Sequence, residues 1–389
     1  MNSYDIAFVP SDERSHREVL EKIHAAWFRG ERPPAQPRPV IRDSWLRLKR
    51  CGLNPVNQPA AVADRARGDD AAILAVLPIV RGMIGPLLDD DHILLVLADA
   101  NGTVRWRAGG RAILRRADQL AFRPGGHWSE KAVGTNAIGT ALSTGTPVHV
   151  HAAEHFYLSH HGWSCAAAPV IDPRMMRPLG VIDLSSPADQ ANPMAVALVA
   201  SVARQIGVEL KEEHRRDLGR LAAATRTPGA GRWMLVDDWG WVAAAEGVAS
   251  SARIRLPSGL SGSFPVDGLG VAGAERVAGG WLLRPAARSE GVQAQLELTI
   301  GAHRCWLAAP GAKATSIHEL TGRRASIVAW LADHPAGVSA RELAEAVYGR
   351  PDAVAAVRAE ICRVNSALGT VVQSRPYRLS ESIRVIDER

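Results

Sequence analysis

The chain has 389 residues, of which 47% are hydrophobic and 22% charged, and its net charge is +6. Single cores rarely grow beyond about 250 to 300 residues, so this length predicts more than one domain. The sequence contains no run of about 18 apolar residues, the length that would indicate a membrane span. Acidic Asp5, Asp12 and Glu13 lie where a signal peptide needs an apolar centre. We therefore expect a cytoplasmic protein without a membrane partner.

The four cysteines, Cys51, Cys165, Cys305 and Cys362, lie far apart in the sequence and form no C-x-x-C pair. This spacing argues against a disulfide framework or a thiolate zinc site, so reduced and mostly buried thiols are expected. The basic balance, with a pI near 9.4, is compatible with a polyanionic partner, but the position of the charge has to decide.

Residues 1–69 are predicted to be an N-terminal helical segment. A first helix is expected from Asp12 to Phe28, followed by the proline-rich stretch 32–39 and a second helix over Ile41–Cys51. The second helix carries four basic residues, Arg42, Arg47, Lys49 and Arg50. We interpret them as the solvated face of a packing helix, with DNA contact as the alternative.

Residues 70–212 are predicted to form one α+β domain. Its first helix, from Asp70 through Leu88, is expected to kink or restart at Pro78, because proline removes a backbone hydrogen bond. A hairpin follows, with strands at 92–98 and 103–107 joined through Asn101-Gly102, a pair that adopts positive φ at low cost.

Three further apolar runs, 147–151, 165–171 and 178–184, are short, rich in β-branched residues and bounded by Pro, Gly or Asp. This pattern predicts buried strands of one sheet. Small and apolar residues from Gly134 to Leu142, closed by Thr144-Gly145, predict a helix that covers the sheet. A helix on an antiparallel sheet leaves a concave site between the two.

The same stretch resembles the GAF sensor domain of the acetoin-catabolism family of bacterial transcription activators. The resemblance is carried by Trp128-Ser129-Glu130, 134–140 (Gly-Thr-Asn-Ala-Ile-Gly-Thr), Glu154-His155-Phe156, Trp163 with Cys165, and Gly180-Val181-Ile182-Asp183. Ser44-Trp45-Leu46 is similar to the short helix that precedes the sensor in that family. The resemblance implies a module that senses a small molecule within a gene regulator.

Two aromatic residues, Trp128 and Trp163, flank polar residues in this stretch, and a mostly apolar pocket with a few polar groups is how small-ligand sites are built. We predict a binding site for a small organic effector from Trp128, Glu130, Thr135, Asn136, His155, Trp163, Cys165 and Asp183. The alternative is structural, with the tryptophans in the core, Asn136 as a helix or turn residue, and Asp183 ending a strand.

Five histidines fall between His149 and Cys165: His149, His151, His155, His160 and His161. Imidazole, carboxylate and thiolate groups bind zinc, iron or copper, so a metal site is one interpretation. A ligand-gating role for His155 and its neighbours, and plain structural hydrogen bonding, are the others. We predict no resident metal and no cofactor.

A long helix is predicted from Pro193 to about Thr225. Its apolar positions, Val196, Val199, Ala203, Ile206 and Leu210, are spaced three, four, three and four. This seam would extend a dimer made by the sensor, and packing on the domain's own sheet explains it equally well.

Residues 226–312 are predicted to be a small β-rich middle domain, with short strands separated by Gly, Ser and Pro. Activators of the family carry a central ATPase, but this chain has no G-x-x-x-x-G-K-[ST] phosphate loop. We therefore expect the chain to depart from the family in its middle.

Residues 316–389 are predicted to be three helices followed by a hairpin. Ser339-Ala-Arg-Glu342 is a capping-box sequence, and apolar residues at Val354, Val357, Ile361 and Val364 form one helical stripe. The segment resembles an OmpR-type winged helix, which implies DNA binding by a helix and a wing. The candidate DNA contacts are Arg358, Arg363, Ser366, Ser374, Arg375 and Arg378.

The sequence thus predicts a multidomain α+β protein with a GAF sensor, a β-rich middle and a C-terminal winged helix-turn-helix. We expect a dimeric one-component transcriptional regulator that binds operator DNA and an effector, with RNA polymerase as a further candidate partner. Two alternatives remain. A GAF-type reductase would need a nucleophilic cysteine with a resolving partner, and only Cys165 lies in the sensor. An adaptor would use the winged helix for protein contact.

Overall fold

A computed structural model describes residues 13–53, 55, 70–226, 229, 231–249, 251–257, 260, 263–286, 296–301, 304–308, 318–368, 370–381 and 383–387. The chain divides into two compact units between Glu212 and Glu213. Within the described residues, no helix is long and apolar enough to cross a membrane. Asp12, where the sequence predicts the first helix to begin, lies outside the described residues.

The first unit contains a five-stranded sheet, as predicted. Its strands are β1 (Leu94–Asp99), β2 (Val104–Gly109), β3 (Val148–His151), β4 (Trp163–Asp172) and β5 (Arg177–Pro187). Their order is β2-β1-β5-β4-β3, and every neighbouring pair is antiparallel. The predicted turn joins β1 to β2, with Gly102 at φ +85°.

Both faces of this sheet are buried, because side chains alternate between them along each strand. Leu94, Val96 and Cys165 belong to one core, and Leu95 and Ala166 belong to another on the opposite face. The first core lies under α7 (Ala137–Thr144), which ends at Gly145 with φ +70°, as the sequence predicts. The concave site therefore has to lie on that face.

Seven other helices begin in the first unit or its N-terminal segment. They are α1 (Glu13–Arg29), α2 (Pro39–Arg50), α3 (Asp70–Leu74), α4 (Leu77–Ile84), α5 (Arg111–Asp118), α6 (Glu130–Val133) and α8 (Ala195–Ala224). The predicted interruption near Pro78 is confirmed. A new helix begins just before this proline, because its missing N–H is tolerated in a first turn.

The apolar seam of α8 packs against the sheet of the same unit. Val196, Val199 and Ile206 are at most 1% exposed and share a core with Leu95 and Ala166. Of the two interpretations of this seam, packing on the chain's own sheet is the one observed. These positions are therefore already covered and cannot also form a dimer seam in this conformation.

The second unit contains two larger sheets. The first has strands β6 (Trp233–Val236), β7 (Val242–Glu246), β8 (Ser263–Val266), β9 (Gly270–Val277) and β10 (Gly280–Pro285). Its order is β7-β6-β10-β9-β8, and its pairs are antiparallel. We call residues 233–285 the β-rich region.

The second sheet belongs with the C-terminal helices. Its strands are β11 (Leu296–Ile300), β12 (Arg304–Ala308), β13 (His318–Thr321) and β16 (Ile383–Asp387), in the order β13-β12-β11-β16. The helices are α9 (Gly322–Asp333), α10 (Ala340–Tyr348) and α11 (Val354–Leu368), and the hairpin strands are β14 (Val372–Gln373) and β15 (Arg378–Leu379).

The strands β11 and β12 fall inside 226–312, the range that the sequence assigns to the middle domain. In the structure their side chains Leu298 and Leu307 share a core with Ile327 and Val357 of the C-terminal helices. β16 also pairs in parallel with β11. A parallel partner 87 residues away leaves no local pattern, so the sequence alone groups these strands with their neighbours.

The three predicted C-terminal helices are confirmed, and so is the capping box of α10. Ser339 Oγ accepts a hydrogen bond from Glu342 N at 3.2 Å, and Glu342 Oε2 accepts one from Ser339 N at 2.7 Å. Trp330 differs from the other apolar residues of α9, because its side chain is 37% exposed and stacks on His334.

Replacing Ser339 with Ala should destabilise α10 by about 1 kcal/mol, because the amide of Glu342 loses its hydrogen-bond acceptor, Ser339 Oγ. Amide hydrogen exchange within residues 340–348 should become roughly fivefold faster. Ser326→Ala, which removes a hydroxyl bonded to Gly322 O within α9, is the control and should leave exchange in α10 unchanged. Equal exchange in Ser339→Ala and the parent would contradict the cap's contribution.

Candidate functional site

A narrow pocket lies on the sheet face that α7 covers, and its cavity volume of about 10 Å³ has room for about one water molecule, so a larger ligand requires its side chains to move. Six of the eight predicted effector-site residues line it: Trp128, Asn136, His155, Trp163, Cys165 and Asp183. The remaining lining residues are Leu120, Phe122, Ala137, Ile138 and His160. A mostly apolar wall with a few polar groups is the usual composition of a site for a small organic ligand.

Asn136 holds one wall of the pocket in place as the N-cap of α7. Its Oδ1 accepts a hydrogen bond from Gly139 N at 2.9 Å, and its Nδ2 donates to Gly134 O at 2.8 Å. Gly134 has φ +67°, and a Cβ there would lie 2.4 Å from Phe156 Cβ. Glycine at this position therefore allows the segment carrying His155 and Phe156 to approach. The two hydrogen bonds of Asn136 give it a helix-capping role, the structural alternative considered from the sequence, in addition to its place in the pocket lining.

Among the polar atoms of the pocket residues are buried ones that have no hydrogen-bond partner within the described part of the chain. They include Asp183 Oδ1 and Trp128 Nε1, in side chains that are 1% and 4% exposed. The other Asp183 oxygen, Oδ2, accepts a hydrogen bond from Ser185 Oγ at 2.6 Å. Buried polar groups are almost always paired, so one donor and one acceptor here are available to a ligand.

The pocket carries little charge near neutral pH. Burial raises the pKa of Asp183 to about 7, and burial lowers the pKa of His155 to about 3 and that of His160 to about 4. The lining residues include no lysine or arginine. An anionic ligand would therefore find no positive charge to replace its lost hydration.

Cys165 lines the pocket, but its thiol is poorly suited to nucleophilic chemistry. Burial and the nearby Asp183 carboxyl raise its pKa well above the usual range. The thiolate is the reactive form, so a raised pKa suppresses reactivity. No other cysteine is among the residues that line the pocket.

Glu130 and Thr135, the other two predicted effector residues, do not line this pocket. Ser44 Oγ of α2 donates to Glu130 Oε1 at 2.6 Å and lies 2.7 Å from Thr135 Oγ1. Arg47 also donates two hydrogen bonds to Glu130, at 2.9 and 2.7 Å. These contacts fix α2 on the first unit, which fits the interpretation of its basic residues as part of a packing helix.

A second carboxylate receives partners from the same N-terminal segment. Arg38 Nε and Nη2 donate to Glu154 at 2.7 and 2.8 Å, and Trp45 Nε1 donates to Glu154 O at 3.2 Å. Burial alone would raise the pKa of Glu154, but the charge and hydrogen bonds of Arg38 outweigh it, and the pKa is lowered. The residue after Glu154 is His155, so this ion pair supports the pocket wall.

The histidine cluster is mainly buried and separates into different surroundings. His149 Nε2 and His151 Nδ1 lie 2.8 and 3.2 Å from Ser164 Oγ, and His155 Nδ1 lies 3.0 Å from Ala152 O. Within the part of the chain that the structure describes, no three His, Cys, Asp or Glu side chains are grouped to hold a metal ion. His155 and His160 alone line the pocket.

The predicted DNA contacts lie on α11 and the hairpin that follows it. Arg358 and Arg363 are exposed on α11, and Ser374 and Arg375 are exposed in the hairpin turn. Ser366 and Arg378 are partly buried, and Arg378 Nε donates to Gln373 Oε1 at 3.0 Å. The guanidinium of Arg363 forms an ion pair with Glu360, which a DNA contact would have to replace.

Five pocket residues were not among the predicted effector contacts, and two of them contact a predicted one. Phe122 and His160 enclose the Trp128 ring, with centroid distances of 4.0 and 5.2 Å. His160 lay within the histidine cluster that the sequence singled out, whereas a lone Phe122 in a loop gave no periodic signal. Ser185, which donates a hydrogen bond to Asp183, was also missed. The two residues are two positions apart on β5 and so point to the same face of the sheet, a signal that the sequence did contain.

The buried histidines should make the first unit sensitive to acid. Burial lowers the pKa of His149, His151, His155 and His160 to about 3 or 4, so the folded state stays unprotonated while the unfolded chain takes up protons below about 6.5. Each histidine then lowers the free energy of unfolding by about 1.4 kcal/mol per pH unit, and Asp183, whose pKa is raised, offsets one of them.

Urea unfolding between pH 7.5 and 5 should therefore show a stability that is fully present above about 6.5 and falls steeply below it. His160→Phe should reduce the slope by about one proton. A stability that stays level to pH 5 would contradict the buried, neutral state of these side chains.

Comparisons with known proteins identify the relatives of the first unit. Residues 30–208 match the model described as MimR, N-terminal domain. The activator AcoR of the acetoin dehydrogenase operon of Bacillus subtilis is 30% identical over 209 residues, which cover 50% of this chain and 34% of AcoR. The propane 2-monooxygenase operon activator MimR of Mycolicibacterium smegmatis is 31% identical over 206 residues, 53% of this chain and 34% of MimR.

A longer match links the chain to a Rhodococcus erythropolis protein described as an uncharacterized 47.3 kDa protein in the thcA 5′ region. It is 28% identical over 350 residues, 88% of this chain and 63% of that protein. A solved complex, Escherichia coli DhaR(N) with DhaL, aligns with a TM-score of 0.42 and 19% identity over 63% of this chain and 98% of that one. The chain spans about a third of each activator and under two thirds of the Rhodococcus protein.

The relatives with described functions are named as transcriptional activators of operons, in agreement with the expectation of a regulator. Residues 30–208 are thus similar to the N-terminal domain of MimR and to parts of operon transcriptional activators.

Proposed function

We propose that this protein is a one-component transcriptional regulator, in which a GAF sensor binds a small organic effector and a C-terminal winged helix binds operator DNA. The observation that carries the proposal is the pocket that assembles six predicted effector residues in the part of the chain similar to operon regulators. The proposed domains are the N-terminal segment 1–69, the sensor 70–212, a β-rich middle within 226–312 and the winged helix within 316–389.

The effector should be a small, uncharged molecule that carries a hydroxyl group. A hydroxyl hydrogen can bond to Asp183 Oδ1, while an oxygen accepts from Trp128 Nε1, and the apolar wall takes the carbon skeleton. Several relatives are named after operons for the metabolism of compounds of this size: acetoin, propane, glycerol and dihydroxyacetone.

The arrangement of α10 and α11 supports DNA binding. α11 buries Val357, Ile361 and Val364, and its opposite side exposes Ala355 and Arg363. Small residues let a helix enter the major groove deeply, and an arginine can reach a guanine edge or a phosphate. Arg375 at the hairpin turn would act as the tip of the wing.

We propose further that the regulator acts as a homodimer in the cytoplasm, where it meets operator DNA and RNA polymerase. Two half-sites strengthen and specify binding by a small module. The α8 seam is buried against its own sheet, so the dimer would use another surface. Regulation without ATP hydrolysis is part of this proposal, because the chain carries no phosphate-binding loop.

Calorimetry with acetoin, dihydroxyacetone and glycerol should detect binding of at least one of them to the full chain, and lactate should not bind, because its carboxylate would face Asp183 without a counter-charge. Asp183→Asn and Trp128→Phe should each weaken binding by about tenfold, since each leaves a polar partner unsatisfied. Asp189→Asn, at an exposed carboxylate of the same unit, is the matched control.

Lactate binding as tight as that of an uncharged compound would contradict the proposed ligand chemistry. Unaltered affinity in both pocket variants would place the site elsewhere.

Binding of the full chain to duplex DNA from its own upstream region should be weakened about tenfold or more by Arg363→Ala, because an arginine contact to a base edge is lost. Arg384→Ala, at an exposed position of β16, is the control and should bind as the parent does. A folded parent protein that binds no DNA at any salt concentration would overturn DNA binding and favour the adaptor alternative.

A further inference from the structure

The β-rich region packs directly against α11 and the segment that follows it. Arg255 Nη1 donates a hydrogen bond to Cys362 O at 3.1 Å and lies 2.9 Å from Cys362 Sγ. Thr370 N donates to Pro265 O at 3.2 Å, and Val271 shares the buried core of the C-terminal helices. The β-rich region therefore lies beside the helix that is proposed to read DNA.

The Arg255 contact lies on the exposed side of α11. Cys362 is exposed, whereas its neighbours Ile361 and Val364 are buried against the core. Cys362 also follows Arg358 by four residues, and side chains with this spacing are neighbours on a helix surface, with Cβ atoms about 5 to 6 Å apart. Arg255 thus brings a second guanidinium to the flank of the helix where Arg358 stands.

The two arginines differ from the other arginines around α11 in their charge balance. Arg363 and Arg324 both bond to Glu360, and Arg378 lies 3.7 Å from Glu381. Within the described residues, neither Arg255 nor Arg358 forms an ion pair. Two uncompensated positive charges on one surface repel each other, and an anion between them removes that repulsion. A phosphate suits this position, because guanidinium groups bond to its oxygens in a forked geometry.

We propose that Arg255 and Arg358 together bind one backbone phosphate of the duplex that α11 enters. This inference rests on the proposed DNA binding and extends it to the β-rich region, whose role the sequence left open. A phosphate contact carries no sequence information, but it fixes the position and orientation of the recognition helix on the duplex. The β-rich region thereby becomes part of the DNA-binding surface.

The test measures DNA binding by the full chain at a series of salt concentrations. Binding is detected by fluorescence anisotropy of a labelled duplex from the protein's own upstream region. Arg255→Gln and Arg358→Gln should each weaken binding about three- to tenfold near 0.15 M salt and reduce the slope of log K against log salt by up to about 0.9. The double variant should lose little more than either single variant, because both side chains bind the same phosphate.

Arg284→Gln removes one positive charge from the same region, at an arginine that pairs with Glu275 at 3.2 Å, and should leave the affinity and slope unchanged. Thermal unfolding of each variant checks that it is folded. If the parent binds DNA but Arg255→Gln keeps its affinity and slope, the inference is wrong. Tighter binding by Arg255→Gln would overturn it in favour of a contact that obstructs the helix.

Additive losses in the double variant would also overturn it, because they would assign the two arginines to separate phosphates. A parent protein that binds no DNA would overturn the proposed function and this inference with it, whereas loss in Arg363→Ala alone would retain the function and reject only the inference.

Discussion

The fold of the first unit depends on finding partners for two buried carboxylates, those of Glu130 and Glu154. A buried charge without a partner costs several kcal/mol. Thr140 Oγ1 donates to Glu130 and His151 N donates to Glu154, but neither donor carries a charge, so each carboxylate needs further donors. The N-terminal segment supplies them: Ser44 and Arg47 bond to Glu130, and Arg38 bonds to Glu154. The segment is therefore an integral part of the unit, although it precedes the sheet by many residues.

This constraint also shapes the pocket. Glu130 begins α6, shortly before Asn136, and Glu154 immediately precedes His155. Each ion pair therefore fixes a segment that carries one of the residues lining the pocket. The charges are paired outside the pocket, and burial keeps the groups inside it close to neutral. The result is a cavity of low charge with Trp128 Nε1 as a donor and Asp183 Oδ1 as an acceptor, which would suit the proposed uncharged effector better than a carboxylate of the same size.

Much of the fold could be predicted from the sequence, because it is specified locally. Short apolar runs predict the strands of the first sheet. Gly145 and Gly349 end helices through a positive φ, and Ser339 begins a helix through its side-chain cap. The features that could not be predicted depend on contacts between residues far apart in the sequence. The hydrogen bond between Ser44 and Glu130 spans 86 residues, so the residue types in the motif could not show that Glu130 bonds to α2 and lies outside the lining of this pocket.

The same limit applies to the α8 seam and to β11. A spacing of three and four residues suits a dimer partner or the chain's own sheet equally, and only the position of the sheet decides between them. β11 finds its parallel partner β16 at the far end of the chain, across three helices. Six of the eight effector residues nevertheless meet in one pocket, because the motif lies on consecutive elements that fold around one sheet face.

In a one-component regulator of the proposed kind, occupancy of the pocket has to alter DNA binding. The most direct measurement is the DNA affinity of the full chain with and without a saturating effector identified by calorimetry. The account predicts a change of about 5- to 150-fold, the usual range of coupling between two sites, and no change for Asp183→Asn at effector concentrations that do not fill its pocket. An effector that binds the parent protein in this pocket and leaves its affinity for DNA unaltered would contradict the account.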